Sequence, residues 1–396
     1  MLEQSSPDVA IIHDWLTGMR GGEKCLEVFC DLFQAAPIYT LVHLSGSVST
    51  PIESHRIITS LLQQLPKVDR WYRYLLPVMP FAINWSLEPY KLVFSSSHAV
   101  AKSVQPRNNS PHICYCHTPM RYAWHMKDSY FGARRSLRKL LLNSILGAIR
   151  SWDRRTACRV SHFIANSSTT QRRIRDAYRR PSMVIHPPVD TDYYQLNENV
   201  PRQDYYLVLS AFAPYKRLDL AIEACKQLNR RLLIIGSGQE KPRLQQLAGP
   251  SVEFLGWQEN SVLRHHLQSC RALLFPGEED FGIVPVEANA CGTPVIAFAR
   301  GGATETIIPL TENQPTGVWF DSQTIDGVKQ AILDFESNEQ LFDRSYIRVN
   351  ALRFSKALFR AKIADFVNQV WHNRLPKDHF PVLQLPSDYQ IGQTDP

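Results

Sequence analysis

Brief apolar runs, each ending in glycine or small polar residues and followed by apolar positions at helical spacing, recur along the chain. The first is "DVAIIHDW" (Asp8–Trp15), after which come Gly18, Gly21 and Gly22 and then "EKCLEVFCDLF"; the pattern predicts a strand, a glycine loop and a helix. "KLVFSSSH", "HICYCHTP" and "HFIANSS" are further β-favouring runs, the last leading into the helical stretch "TTQRRIRDAY". A proline-rich polar segment, "HPPVDTDYYQLNENVPRQD" (His186–Asp204), separates these from a second series, "YYLVLSAF", "RLLIIGSG", "VEFLGW", "ALLFPG" and "PVIAFA".

Strands alternating with helices predict parallel sheets. Two such series predict an α/β chain of two Rossmann-like, doubly wound domains facing a central cleft, residues 1–190 and 204–353, with ligands at strand C-terminal ends. "FSKALFRAKIADFVNQVWHNRL" (354–375) reads as an amphipathic C-terminal helix free to cross back to the first domain, and 376–396 as a loose tail.

Composition narrows the class. With 396 residues, 44% hydrophobic and 10% aromatic, the chain has apolar material for two cores and no bias toward disorder. No apolar run reaches the roughly 18 residues of a membrane span, and "MLEQSSPDVAII" lacks a signal peptide's basic start, so a cytoplasmic protein is expected. The eight cysteines are scattered without a C-x-x-C, which argues for buried thiols over zinc or disulfides. A net charge of +7 fits a nucleotide, a nucleic acid or an anionic membrane.

The most informative stretch is "PGEEDFGIVPVEANACGTPVIAFARGGATE" (Pro276–Glu305), where Glu279 and Glu287 flank "DFGIVPV". A glycine loop before a helix offers N–H groups and a positive dipole end to a diphosphate. Carboxylates beside it would accept hydrogen bonds from hydroxyls, as a sugar presents them.

From Leu207 to Ile307 the order of these motifs, with the E-x7-E element and "ANACGTPVIA", resembles the retaining glycosyltransferases of family 4, which have the GT-B fold. "HDWLTGMRGGEK" and "CHTPMRYAW" resemble acceptor-domain loops of bacterial GDP-mannose-dependent α-mannosyltransferases in that family. The resemblance implies that Glu279 contacts the donor sugar, Glu287 the ribose and Lys216 the diphosphate. It implies that Phe281, Gly282 and Ile283 line the donor site, that Gly21 and Gly22 lie beside diphosphate and acceptor, and that His117 sits near the anomeric carbon. Where the family commonly has an arginine five positions before Lys216, this chain has Ala211; Arg217 is the candidate to supply the missing charge, the alternative being an ordinary surface residue at a helix start.

The resemblance thus implies retaining transfer, foremost of α-mannosyl from GDP-mannose, to a lipid-linked or polysaccharide-precursor acceptor, with a UDP-sugar donor as alternative. The nucleotide-sugar is a substrate, and no cofactor or metal is expected: "DTD" at Asp190–Asp192 matches a metal motif of another glycosyltransferase fold only by chance. Glu305 either meets the nucleotide or favours the start of its helix. A nicotinamide oxidoreductase lacks its G-x-G-x-x-G after the first strand, and a nucleic-acid binder lacks a recognised module beside "RRSLRK". An epimerase or phosphorylase of the same fold would differ in its dependence on an acceptor. "RWYRYLLPVMPFAINW" and "ARRSLRKLLLNSILGAIRSWDRR" combine basic and apolar residues as a peripheral membrane surface would, or as core with a solvated face.

Overall fold

The computed structural model describes residues 8–106, 110–124, 137–372 and 375–380. They form two compact units: Met1–Pro188 with Ala357–Pro396, and Val189–Lys356.

The first unit holds a parallel sheet of seven strands: β1 (Val9–His13), β2 (Ile38–Thr40), β3 (Ile57–Thr59), β4 (Leu92–Ser97), β5 (His112–Cys116), β6 (His162–Ala165) and β7 (Met183–Val184), ordered β3-β2-β1-β4-β5-β6-β7. Strands β1, β4, β5 and β6 are buried along their whole length, which is why they read as continuous apolar or small-residue runs. Strand order reverses between β1 and β4, and the pairings His13↔Ser96 and Ser97↔Cys116 bring the C-terminal ends of β1, β4 and β5 side by side.

The helix Lys356–His372 belongs to this unit. Its Phe359, Ile363, Phe366, Val367 and Val370 are buried in the same cluster as Ile11, Phe29 and Tyr115. The Phe359 ring lies 5.8 Å from that of Phe29 and 5.6 Å from that of Tyr115. The start of the stretch expected to be a loose tail is held as well, since Asp378 takes a forked ion pair from Arg180 at 2.9 and 3.0 Å and Phe380 packs against the core. The rest of that tail, 381–396, lies outside the described residues, as do residues 1–7 and the beginning of the basic run at 133–136.

The second unit has a six-stranded parallel sheet: β8 (Tyr206–Leu209), β9 (Leu232–Ile235), β10 (Val252–Gly256), β11 (Ala272–Phe275), β12 (Val295–Phe298) and β13 (Gly317–Phe320), ordered β10-β9-β8-β11-β12-β13. Here the order reverses between β8 and β11. The polar segment read as an interdomain boundary is mostly part of this unit. Tyr194 is buried, Gln268 donates to the Gln195 carbonyl at 2.7 Å, and Arg202 donates to Thr293 Oγ1 at 2.7 Å and to the Cys270 and Gly292 carbonyls. Asp190 of "DTD" pairs with Lys356 at 2.8 Å, and the Val189 N–H donates to the Phe354 carbonyl at 2.8 Å, so the entering and leaving chains of this unit are fastened together.

Candidate functional site

In the second unit the candidate residues gather where strand order reverses, the position at which open α/β sheets bind ligands. Strand β8 ends at Leu209, and a 3-10 turn, Pro214–Lys216, presents Lys216. Strand β11 ends at Phe275 and leads to Gly277 and Glu279. The Lys216 ammonium and a Glu279 carboxylate oxygen form an ion pair, with side chains 13% and 24% exposed, and both line a pocket with Ser210 and Gly277.

Glycines make this approach possible. A Cβ on Gly277 would stand 2.8 Å from Lys216 Cα, so any larger residue separates the two strand ends. The pair Gly301–Gly302 packs against the loop that carries Glu279: a Cβ on Gly301 would stand 2.1 Å from the Glu279 carbonyl oxygen, and one on Gly302 2.1 Å from that of Phe281. The Gly302 N–H donates to the Glu279 carbonyl at 2.9 Å. Gly302→Ala is therefore expected to displace the loop, lowering thermal stability and weakening donor binding together; calorimetry with and without nucleotide reads both.

Gly282, at a φ of 84°, opens the helix Ile283–Ala290. Ile283 begins that helix, and Glu287, on its second turn, is buried. Phe281 is core, edge-on to Phe354 at 5.5 Å. Arg217 is turned to its own helix: its Nε and an Nη atom each lie 3.2 Å from Asp219 oxygens, and the other Nη is 3.4 Å from Gln323. Glu305 lies in the first turn of the short helix Ala303–Thr306.

In the first unit Gly21 and Gly22 were expected in a loop; they instead form the first turn of the helix Gly21–Leu32. Glu23 supplies the reason, its carboxylate accepting the Arg20 N–H at 3.0 Å and so capping the helix two residues earlier. Gly22 adjoins His117: a Cβ there would meet His117 Nε2 at 3.6 Å and His13 at 3.7 Å. His117 Nε2 is 2.8 Å from Ser96 Oγ.

Around this pair the structure adds residues that lie in the quoted motifs but do not stand out in sequence. Asp14, fully buried, accepts the backbone N–H groups of His98, Ala99, Val100 and Ala101 at 2.6–2.9 Å, and its Oδ2 lies 3.2 Å from His98 Nδ1. His13 is buried with neither ring nitrogen hydrogen-bonded, 3.7 Å from Glu23. The available signal was a His-Asp pair ending a buried strand, but its partners lie more than 80 positions away.

Burial pulls the His117 imidazolium down to about 3, with His98 and His13 adding to the effect, and burial likewise takes His112 to about 3. Both rings are neutral near pH 7. Burial pushes the Asp14 carboxyl up, but His98 and the backbone N–H groups outweigh it and the net shift is downward; Glu23 is lowered in the same balance by His13.

Between about pH 6.5 and 3 the unfolded chain takes up protons at these histidines and the folded chain does not. Stability is therefore intact above pH 6.5 and falls on acidification, by about 1.4 kcal/mol per pH unit for each histidine. The depressed carboxylates of Asp14 and Glu23 add to the loss at the acid end. Denaturant titrations at pH 7.5, 6 and 5 check the slope.

Residues 194–351 match the family of glycosyl transferases group 1, and residues 46–193 match glycosyltransferase family 4, the two matches abutting. The chain is similar to a GDP-mannose-dependent monoacylated alpha-(1-6)-phosphatidylinositol monomannoside mannosyltransferase of Corynebacterium glutamicum, 32% identical over 141 residues covering 32% of this chain and 36% of that protein. It is also similar to the GDP-mannose-dependent alpha-(1-6)-phosphatidylinositol monomannoside mannosyltransferase of Mycolicibacterium smegmatis, 30% identical over 202 residues covering 42% and 51%. The matches thus span about half or less of the length of these relatives.

Among solved structures, sucrose-phosphate synthase of Thermosynechococcus elongatus gives a TM-score of 0.70 at 16% identity, covering 93% of this chain and 100% of that one. Anabaena HepE in complex with UDP gives 0.66 at 17% identity, covering 90% and 98%. The two sheets and these likenesses define a GT-B architecture of two Rossmann-like domains. Together the two family matches span residues 46–351, each over less than half of the chain, and the sequence relatives include GDP-mannose-dependent mannosyltransferases.

Among the described residues no group of three or more His, Cys, Asp or Glu side chains is placed to hold a metal, and no helix is long and apolar enough to cross a membrane.

Proposed function

We propose that this chain transfers a sugar from a nucleoside-diphosphate sugar to a hydroxyl of a lipid-linked glycan or polysaccharide precursor, with retention of anomeric configuration. The observation that carries the reading is the Lys216–Glu279 pair at the β8/β11 reversal, inside the matched span. Lys216 provides fixed positive charge for the diphosphate as its bond to the anomeric carbon breaks. The N–H groups at the start of the helix Ile283–Ala290 add a dipole of the same sign. Glu279, released from Lys216 by the phosphate, accepts hydroxyls of the donor sugar, and Glu287 those of the ribose. Phe281 and Gly282 shape the loop between them.

Neutral His117, with Gly22 leaving space beside it and Gly21 in the same helical turn, hydrogen-bonds the reacting sugar. The acceptor oxygen bonds to the anomeric carbon on the face the nucleotide leaves. Arg217 stands next to Lys216 and compensates for Ala211 only by giving up Asp219.

A UDP-sugar is the donor we favour, because HepE, whose fold this chain shares, is known in complexes with UDP and with UDP-glucose. GDP-mannose, expected from the N-terminal motifs, is the second reading, supported by the mannosyltransferases among the sequence relatives. Thermal unfolding with UDP, GDP, ADP, UDP-glucose and GDP-mannose, with and without a chelator, tests both. A ligand at a hundred times its Kd stabilises by about 2.7 kcal/mol. Stabilisation by uridine nucleotides supports the first donor and by guanosine nucleotides the second; no response to any of them removes the transferase reading.

A further inference from the structure

The stretch from Leu61 to Leu87 in the first unit has two apolar faces, and only one of them is used by the core. Val68, Tyr72, Leu76, Met79, Ile83 and Leu87, at spacings of three and four, are buried against β1 and β4. The opposite face leaves Tyr74 and Phe81 each 83% exposed, Leu61 78% and Val78 45%. Lys67, Arg70 and Arg73 are exposed among them, and Asp69 is the single acid in the stretch. The sequence offered core or membrane as alternatives for "RWYRYLLPVMPFAINW"; the structure separates the residues into two sets, and the core accounts for one set only.

The composition of the outer face selects its partner. Three exposed cations stand among its rings against a single acid, Asp69, a charge balance that complements an anionic surface. Aromatic side chains with guanidinium and ammonium groups beside them suit the headgroup level of a bilayer, where the rings enter the acyl boundary and the cations meet lipid phosphates. The backbone here is a set of single turns, Val68–Trp71, Tyr72–Leu75 and Met79–Ala82, so the contact is made by side chains projecting from a fixed surface.

We propose that the outer face of residues 61–81 docks this protein on an anionic lipid surface, with Tyr74, Val78 and Phe81 inserted at the interface and Lys67, Arg70 and Arg73 against the phosphates. The docking goes beyond sugar transfer and stands without it.

The test is co-sedimentation of the full chain with vesicles of phosphatidylglycerol and phosphatidylcholine, compared with phosphatidylcholine alone. The expected result is retention on the anionic vesicles that weakens with added salt. Tyr74→Ser with Phe81→Ser is expected to reduce binding by roughly tenfold or more, and Arg70→Gln with Arg73→Gln by about fivefold for each charge removed. All four side chains are exposed, and among them Arg73 gives up a hydrogen bond to the Tyr72 hydroxyl at 3.2 Å, so unfolding midpoints are expected to stay close to that of the parent protein and any nucleotide-induced stabilisation to match it, which keeps loss of docking distinct from loss of the fold or of donor binding. Failure of the parent protein to bind anionic vesicles overturns the proposal, as does unchanged binding by both double variants. A dimer in solution that Tyr74→Ser with Phe81→Ser dissociates also overturns it, since the face is then a contact between copies.

Discussion

Lys216→Ala is expected to lower sugar transfer by about a hundred- to a thousandfold, the range seen when one fixed group opposing developing charge is removed. The loss is expected in kcat more than in KM, because negative charge on the bridging oxygen grows as the sugar–phosphate bond breaks and Lys216 is most effective against that growth. Folding is expected to change little. The Lys216–Glu279 pair keeps some contact with solvent, and pairs of that kind contribute about 0–1 kcal/mol. Glu279→Gln retains the side-chain volume and loses the acceptor strength toward hydroxyls, so its penalty falls on the sugar-bearing donor and leaves affinity for the free nucleoside diphosphate close to that of the parent. Steady-state rates with the donor identified by thermal unfolding, alongside calorimetric binding of the nucleoside diphosphate, separate the two variants. Full activity in Lys216→Ala would remove the proposed role of the β8/β11 pair.

The largest expected effect on stability lies away from that site. Asp153 and Lys102 are both buried, with Nζ 2.7 Å from Oδ1, and Asp153 Oδ2 accepts the Trp124 Nε1–H at 2.8 Å and the Tyr178 hydroxyl at 2.9 Å. Lys102 also donates to the Asp153 carbonyl at 3.0 Å and lies 4.7 Å from the centre of the Tyr178 ring. Asp153→Ala leaves an ammonium in the interior without a counter-ion and strands two further donors. Removal of one partner from such a pair costs about 3–5 kcal/mol, because the remaining charge has lost both water and its neutraliser. Urea unfolding is expected to show that loss as a lower midpoint. Lys102→Met combined with Asp153→Leu is expected to recover much of it, since the desolvation cost goes with the charges. If Asp153→Ala unfolds at the parent midpoint, the pair is not fixed in solution as described.

Most of the architecture was legible in order along the chain because its central strands are buried on both faces. "VAIIH", "LLII" and "ALLF" are continuous apolar runs for that reason. Gly317–Phe320, as long as "ALLF", opens on glycine and left no clear mark, and the others that left none have only two or three residues: Ile38–Thr40, Ile57–Thr59 and Met183–Val184. So few residues carry no periodicity, and pairing with a longer neighbour makes them strands. The spacing of Glu279 and Glu287 was legible because both lie within one strand–loop–helix passage. That Gly302 must be glycine was not, because what excludes a side chain there is the Phe281 carbonyl.

The succession of buried strands, the acids and lysine of the second unit, and the resemblance to a known family could be read along the chain, since all of these are local patterns. Tertiary structure decided that the helix Lys356–His372 completes the core of the first unit, that Asp14 holds the turn at residues 98–101, and that Arg217 faces Asp219. It also decided which face of residues 61–87 is core. In each case a residue's role depends on partners distant in the chain, or on which side of an element meets the sheet, and such partnerships are set by packing.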